Sequence, residues 1–599
     1  MNKNAIIFEV CWEACNKTGG IYTVISSKAA HMKKELGDNY FIIGPYFIEK
    51  NKGEFQEIAP PEKYKPIFES LRREGVICHW GKWLIEGEPF TILIDFNAYK
   101  QHINLIKKHL WESFGIDSLG SPEDFDEPVV WSWCAGQVIS RIKEVFKGKK
   151  VIAHAHEWLS GGSLLYLVEK EPQIKTVFTT HATFLGRSLA AGNYFLYENM
   201  DAVDVDKKVK ELGITAKFHM ERAAAQRACV LTTVSEITAM EVEKFLGRKV
   251  DVLLPNGLNL SGSLTFEDFS FSHRLQRDRM REFLLYYFFP YYSFDLRKSL
   301  FYFISGRYEL HNKGIDIFID ALKDLNNELK RDKDKAKTII VFFWVPLQIR
   351  GIKPQIREAR EIFTEVEQTL EESRITTQSN LLYNIMAEEK LSAEVLFEQD
   401  TLRRIKRTLL KIKQPKGSPP ICTHDLIEDN NEIINRLKNA NLVNKKDDRV
   451  KVIIYPAYLT GSDGLLNLSY EEAVQGSHLG VFPSYYEPWG YTPLETASLG
   501  VATITTDLAG FGRFINEKAN KKKHPGIYIT DRFKKDYDFS MKQLTSLLYQ
   551  YSKFSYYERV QNKIGASDLA QEGGWDKLIK HYMHAYEEAI KSDKAGLDQ

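Results

Sequence analysis

The sequence predicts an α/β protein built of two doubly wound, Rossmann-like domains that face a central cleft. Three observations carry this reading. The chain has 599 residues, and a single hydrophobic core stops growing near ~250–300 residues, so two large domains are the simplest division. Short apolar runs alternate with longer amphipathic ones, the pattern of a parallel sheet with helices on both faces. Near Leu300 a second alternating series begins.

In the first half the strand-like runs are 5–10, 40–44, 90–95, 151–154, 176–180, 230–234 and 252–254. Helical patterns follow several of them, such as 129–145 and 161–169. Many of these strands end in polar or glycine-bearing turns: HAHEW, TTHAT, TTVSE and PNGLN. Ligands of open parallel sheets bind beyond the carboxyl ends of the strands, so chemistry is expected at these turns. The second series has strand runs at 300–305, 338–343, 450–455, 479–483, 502–506 and 526–529. Between two of them, 352–413 lacks strand character and is rich in Glu, Arg, Lys, Leu and Ile. It predicts a helical hairpin insertion. A solvated surface pair and an oligomerisation element fit that pattern equally.

Composition narrows the function classes. Lys plus Arg is 81 and Asp plus Glu is 80, a formal net charge of +1. That balance gives no footprint for nucleic acid, although a local basic pocket for phosphates is compatible with it. Cys11, Cys15, Cys78, Cys134, Cys229 and Cys422 form no C-x-x-C pair, and most lie in apolar runs. Free buried thiols in a reducing compartment are expected, with neither a disulfide frame nor a zinc site. Glu9 interrupts the first apolar run too early for a signal peptide. The run FLLYYFFPYYSF at 283–294 is too short to span a bilayer and contains Pro290. A soluble, cytoplasmic protein without membrane contact is expected.

The densest motif is VFPSYYEPWGYTPLETASLG, 481–500. Its Thr492, Pro493 and Glu495 read as a helix start with Thr at the N-cap, Pro first and Glu three residues on. A capping box therefore accounts for Glu495 as readily as a ligand does. Glu487 and Gly490 precede that helix in a Trp-bearing loop. Amides at a helix N-terminus favour an anion such as a diphosphate, and carboxylates nearby suit sugar hydroxyls. In SGRYELHNKG, Arg307 and Lys313 follow a strand directly and could neutralise a leaving diphosphate. In NKTGGIYTVI, Gly19 and Gly20 lie between strand and helix and allow close backbone approach, although a plain tight turn fits the spacing too. His154 and His156 look like a metal pair without a third ligand of diagnostic spacing, so core or supporting histidines are the better reading. His181, with Arg187 six residues on, is a site candidate by its position at a strand end; a satisfied loop histidine is the alternative.

Together these segments resemble the glycogen synthases of the animal and fungal type. The resemblance rests on FEVCWEACNKTGGIYTVI, AHEWLSGG, TVFTTHATFLGRSLAAG, TTVSEITAMEVE, FISGRYELHNKG and SHLGVFPSYYEPWGYTPLE and runs in order along nearly the whole chain. The Glu-to-Glu spacing of EPWGYTPLE is shared by many retaining glycosyltransferases; TTHATFLGR together with VFPSYYEPWGYTP is more specific. The resemblance implies a GT-B fold, with domains 1–295 and 296–575 and a final helix in 576–599 crossing back to the first. It implies retaining transfer of glucose from UDP-glucose to the non-reducing 4-hydroxyl of an α-1,4-glucan, with no metal cofactor. Arg307 and Lys313 match the diphosphate pair, Glu487 the carboxylate near the donor glucose, and Glu495 the one at the ribose. His181 and Arg187 match active-site residues. Gly19 and Gly20 lie in the glycine loop facing the donor, and it is Gly20 that matches the family's glycine. Tyr470 matches the tyrosine on the base, and Gly490, Tyr491 and Thr492 the loop around the phosphates. A homotetramer joined through the insertion, and a priming protein, are further implications. An inactive glucan-binding paralogue is disfavoured by the intact Arg307, Lys313, Glu487 and Glu495. Another GT-B glucosyltransferase is disfavoured by chain length and by TTHATFLGR.

One departure from the family stands out. Its members carry an arginine-rich helix near the C-terminus that binds glucose 6-phosphate. The matching stretch, SYYERVQNKIGASDLAQEGGW, has only Arg559 and Lys563. Tyr556 and Tyr557 are expected to pack rather than bind phosphate, with Lys521, Lys522 and Lys523 as the alternative source of cations. Activity without glucose 6-phosphate, and little stimulation by it, is expected.

Overall fold

The computed structural model describes residues 5–260, 266–332, 337–413, 417–428 and 430–592. The first sheet has nine strands: β1 (Ala5–Val10), β2 (Tyr40–Pro45), β3 (Phe55–Glu57), β4 (Ile77–Trp83), β5 (Phe90–Asp95), β6 (Lys150–His156), β7 (Lys175–Thr180), β8 (Val230–Thr233) and β9 (Val252–Leu253). Their spatial order is β3-β4-β5-β2-β1-β6-β7-β8-β9. All pairings are parallel except those of β4, which runs antiparallel to both its neighbours. The second sheet, β10 (Leu300–Ser305), β11 (Ile339–Trp344), β14 (Val450–Tyr455), β15 (Leu479–Val481), β16 (Ala502–Thr506) and β17 (Ile527–Thr530), is wholly parallel in the order β14-β11-β10-β15-β16-β17. A separate antiparallel pair, β12 (Ile349–Ile352) with β13 (His424–Leu426), brackets the insertion.

Each central strand is buried along its length because helices cover both faces. Alternation then splits every strand between two layers. Ile6, Phe8 and Val10 join one core while Ala5 and Ile7 join the opposite one. Leu300, Tyr302 and Ile304 divide in the same way from Phe301 and Phe303. The helix Trp575–Lys591 lies on the first sheet. Its Trp575, Leu578, Ile579, Tyr582, Ala585, Tyr586 and Ala589 pack with Ile7, Ile152 and Val177. Each large side chain buried this way contributes roughly 1.5–3 kcal/mol.

Four strands escape the sequence reading. β3 has only three residues, with Gln56 and Glu57 exposed, and β4 (ICHWGKW) is interrupted by polar residues because it lies toward the sheet's edge. β12 and β13 are short and isolated from both main sheets. The helix expected at 129–145 begins earlier, at Glu123, and accommodates Pro128 in its second turn. The insertion folds as helices Pro354–Glu372, Arg374–Met386, Ala393–Leu396 and Gln399–Ile412, the first and last packed together as a hairpin. Five of the six free cysteines are buried, and Cys78 is half-buried. No helix among the described residues is long and apolar enough to cross a membrane.

Candidate active site

A cleft of about 990 Å³ opens between the carboxyl ends of the two sheets. It brings together Gly19, Gly20, His181, Arg187, Arg307, Lys313, Glu487, Gly490, Tyr491 and Thr492 from several loops. Tyr470 and Glu495 do not line it. They sit together behind the loop: the Tyr470 hydroxyl meets Ser305 Oγ at 3.1 Å, and the Glu495 charge pushes the Tyr470 hydroxyl further up than burial alone does. Burial, with Glu471 adding, pushes the Glu495 carboxyl up to about 7.

On the second-domain wall, β10 ends at Ser305 and the chain turns through Arg307 and Lys313 into the helix Ile315–Arg331. Gly314 caps that helix at φ 68°, and a Cβ there would strike the carbonyl of Pro483. Lys313 Nζ donates to Glu487 Oε2 at 2.5 Å, so the two motifs are joined by an ion pair across 174 residues. Both groups are half-buried. Arg307 is 83% exposed and, among the described residues, pairs with Glu309 alone, at 3.0 Å. The capping box expected at Thr492–Glu495 is not formed. Gly490, at φ 101°, takes the N-cap of the helix Tyr491–Ser498, and Glu495 falls past the first turn. Pro493 is tolerated because the first-turn amides have no partner within the helix.

The first-domain wall is packed with charge that the sequence reading missed. Arg187, on the helix Phe184–Ala191, faces Glu157, Glu221 and Glu13. Burial works against its charge, and Glu157 above all, then Tyr486, Glu221 and Glu13, hold it protonated. Glu157 sits at φ 62° beyond β6 and accepts from the amides of His181 (2.9 Å) and Ala182 (3.2 Å). Glu221 accepts from Thr180 Oγ1 (2.6 Å) and the Phe184 amide (2.9 Å); burial and Glu157 push its carboxyl up to about 8. Glu241 accepts from Thr183, Tyr197 and, across the cleft, Tyr486, and burial pushes it up to about 7. Glu13 accepts from the Tyr22 amide at 2.7 Å, so a carboxylate already meets the N-terminus of the helix Gly20–Leu36. A Cβ on Gly19 would land on that carboxylate, whereas Gly20 faces open space. Glu157, one residue past the HAHEW histidines and at a strand's carboxyl end, carried the available signal.

The third group near His154 and His156 is Glu9, on the neighbouring strand β1. The Lys28 ammonium is paired with that carboxylate, so the cluster already contains a cation of its own.

A second cavity, of about 500 Å³, corrects the reading of the C-terminal helix Tyr556–Ala570. That helix supplies Arg559 and Lys563, as read. The helix Phe266–Phe288 adds His273, Arg274, Arg277 and Arg281, and Arg297, His478 and the ring of Tyr556 also line the cavity, with Asp278 and Asp568 as the acidic residues. Burial and Arg281 push the Arg277 guanidinium down to about 10, and its Nη2 is buried without a partner among the described residues. Burial, Arg277 and Arg559 drive the Lys563 ammonium well below its usual range. Tyr556 and Tyr557 are exposed instead of packed, at 74% and 68%. Lys521 and Lys522 are engaged with Glu517 and Asp568 and do not line this cavity.

Two doubly wound sheets, the first mixed and the second wholly parallel, meeting at a cleft where cations and carboxylates converge, have the architecture of the GT-B glycosyltransferases. The catalytic domain of starch synthase IV from Arabidopsis thaliana, solved with ADP and acarbose, shares this fold. Its TM-score is 0.50 at 14% identity, covering 98% of this chain and 99% of that one. A profile of the glycogen synthase family matches residues 9–595. The liver glycogen (starch) synthase of Mus musculus is 36% identical over 585 residues, which is 97% of this chain and 83% of that protein. Isoform 1 of the glycogen (starch) synthase of Saccharomyces cerevisiae is 35% identical over 605 residues, covering 97% and 85%. The chain belongs to the glycogen synthase family.

Proposed function

We propose that the cleft transfers glucose from UDP-glucose, with retention, to the non-reducing 4-hydroxyl of an α-1,4-glucan. The observation that carries this reading is the Lys313–Glu487 pair, which faces the His181 and Arg187 wall across one cavity. As the glycosidic bond breaks, negative charge develops on the leaving diphosphate. Lys313, Arg307 and the amides at Gly490–Thr492 are placed to stabilise it. These protein cations supply the charge that a metal cofactor would otherwise provide. Glu487 accepts hydrogen bonds from the donor sugar, and its pair with Lys313 holds the carboxylate in place for that task; no covalent role is assigned to it. The resemblance gives Tyr470 and Glu495 to the base and ribose, but both lie behind the loop and outside the cleft, so they are assigned no direct contact with the donor. The free thiols support a cytoplasmic setting. Incubation with labelled UDP-glucose and glycogen, with ADP-glucose as comparison, tests the reading. Incorporation of label into α-1,4 linkages is expected, and no transfer from either donor would refute it.

The insertion exposes Ile375, Leu382, Tyr383, Ile385, Met386 and Leu410. Apolar side chains gathered this way mark an association surface, and they support a homotetramer. A monomer mass by light scattering at micromolar protein would contradict it. The second cavity holds more cations than the protein neutralises, which supports a dianionic sugar phosphate as its ligand. This replaces the expectation of an enzyme indifferent to glucose 6-phosphate.

A further inference from the structure

Behind His181 lies a buried chain of hydrogen bonds that the transfer reaction does not itself require. Glu9, near the carboxyl end of β1, accepts from the Lys28 ammonium and from the Tyr40 hydroxyl. His156 Nε2 lies 2.7 Å from Glu9 Oε1, and His156 Nδ1 lies 3.0 Å from His181 Nε2. The helix Trp575–Lys591 closes the cluster. The centre of the Tyr582 ring lies 4.1 Å from the Lys28 ammonium, and the Tyr586 hydroxyl is 3.0 Å from His154 Nδ1.

The protons along this chain follow from which groups can only accept. Burial alone would push the Glu9 carboxyl up, but Lys28 and His154 outweigh it and hold it below the usual range, so Glu9 is ionised. An ionised carboxylate is acceptor-only. His156 must therefore carry its proton on Nε2. Burial keeps both imidazoles neutral, so each has one N–H and one lone pair. The lone pair of His156 is on Nδ1, and it accepts the Nε2–H of His181. The nitrogen left on His181 is Nδ1, which has no protein partner among the described residues, on a side chain that lines the cleft.

We propose that Glu9 is a positioning residue: acting through His156, it fixes His181 in the tautomer whose free ring nitrogen accepts a hydrogen bond from one hydroxyl of the donor sugar. The assignment of the hydroxyl's owner rests on the function proposed above; the tautomer does not. Lys28 and Tyr40 hold the Glu9 carboxylate in place.

The chain can be inverted. In Glu9→Gln with Lys28→Met, the amide oxygen keeps the Tyr40 hydroxyl and the amide NH₂ faces His156. His156 then donates to His181, and His181 presents an N–H to the cleft. The test compares wild type and this double variant on UDP-glucose and a series of UDP-monodeoxyglucoses. We expect the preference for UDP-glucose over one member of the series to fall about 10-fold, the scale of one hydrogen bond, with the other ratios unchanged. An equal loss on every donor would mean that Glu9 is merely structural. Neutron diffraction from the deuterated wild-type protein decides the tautomer even if the variant does not fold. Deuterium on Nε2 of His156 and of His181 is expected, and deuterium on His181 Nδ1 overturns the proposal. If wild type turns over no UDP-sugar, the proposed function fails, while the neutron map decides the tautomer independently of it.

Discussion

The two walls of the cleft handle charge in opposite ways. On the first-domain wall, Arg187 is buried among Glu157, Glu221 and Glu13, and each of these carboxylates accepts from named donors. On the second-domain wall, Arg307 stands in solvent and Lys313 holds a single carboxylate. In the proposed reaction the first wall, complete without substrate, orients it, and the second is completed by the leaving group. The basic cavity beside the helix Tyr556–Ala570 is a stronger form of the second case, since its cations outnumber the carboxylates that face them.

The largest effect is expected where charge is left for the substrate. Lys313→Ala should lower turnover by roughly 10²-fold or more, the scale of losing one preorganised stabiliser. Lys313 is more buried than a loop lysine usually is, so the variant also strands Glu487; Lys313→Ala with Glu487→Gln separates the two effects. Wild-type activity of Lys313→Ala at saturating donor would erase the contrast between the walls.

A smaller effect is expected at the basic cavity. Titration with glucose 6-phosphate at donor concentrations below KM should raise activity several-fold, roughly what a coupling of 1 kcal/mol or more delivers. Arg281→Ala and Arg559→Ala should each weaken the response. A flat titration in the wild type would restore the reading that Arg559 and Lys563 act alone.

The smallest effect concerns the first wall, and it is a matter of stability. Glu221 titrates near 8 in the folded protein and near 4.5 as a free carboxyl. Between these values the folded state holds a proton that the unfolded state has lost, so stability falls as pH rises across this window. Glu241 and Glu495, each raised to about 7, add to the same slope. Below pH 7 the buried neutral His154, His156, His181 and His478 give the opposite slope, since the unfolded state takes up protons there that the folded state refuses; melting temperature should therefore decline from pH 7 toward pH 8, and Glu221→Gln, which imitates the protonated acid, should flatten the decline. A melting temperature that rises over this range would contradict the burial of these acids in a balanced cluster.

The central strands were legible because parallel strands covered on both faces leave unbroken apolar runs; β1, β5, β10, β14 and β16 match their sequence runs end to end. β3 and β4 were not, since edge pairing tolerates Gln56, Glu57, His79 and Lys82. The cleft's motif residues were legible because they sit in turns right after strands. Their partners were hidden by distance along the chain: Glu221 and Glu241 come from the helices Thr215–Arg227 and Glu236–Leu246, which only folding brings against the strand-end turns. The basic cavity was hidden in the same way, because Arg277 and Arg559 are joined only by folding.

The most direct test of the contrast is hydrogen exchange with and without UDP. New protection is expected in the segment 305–314 and at 487–492, with little change at 180–187, where carboxylates and hydroxyls already hold the backbone amides of the free protein. Protection confined to 180–187, or none in either wall at saturating UDP, would contradict the division of labour between the two walls.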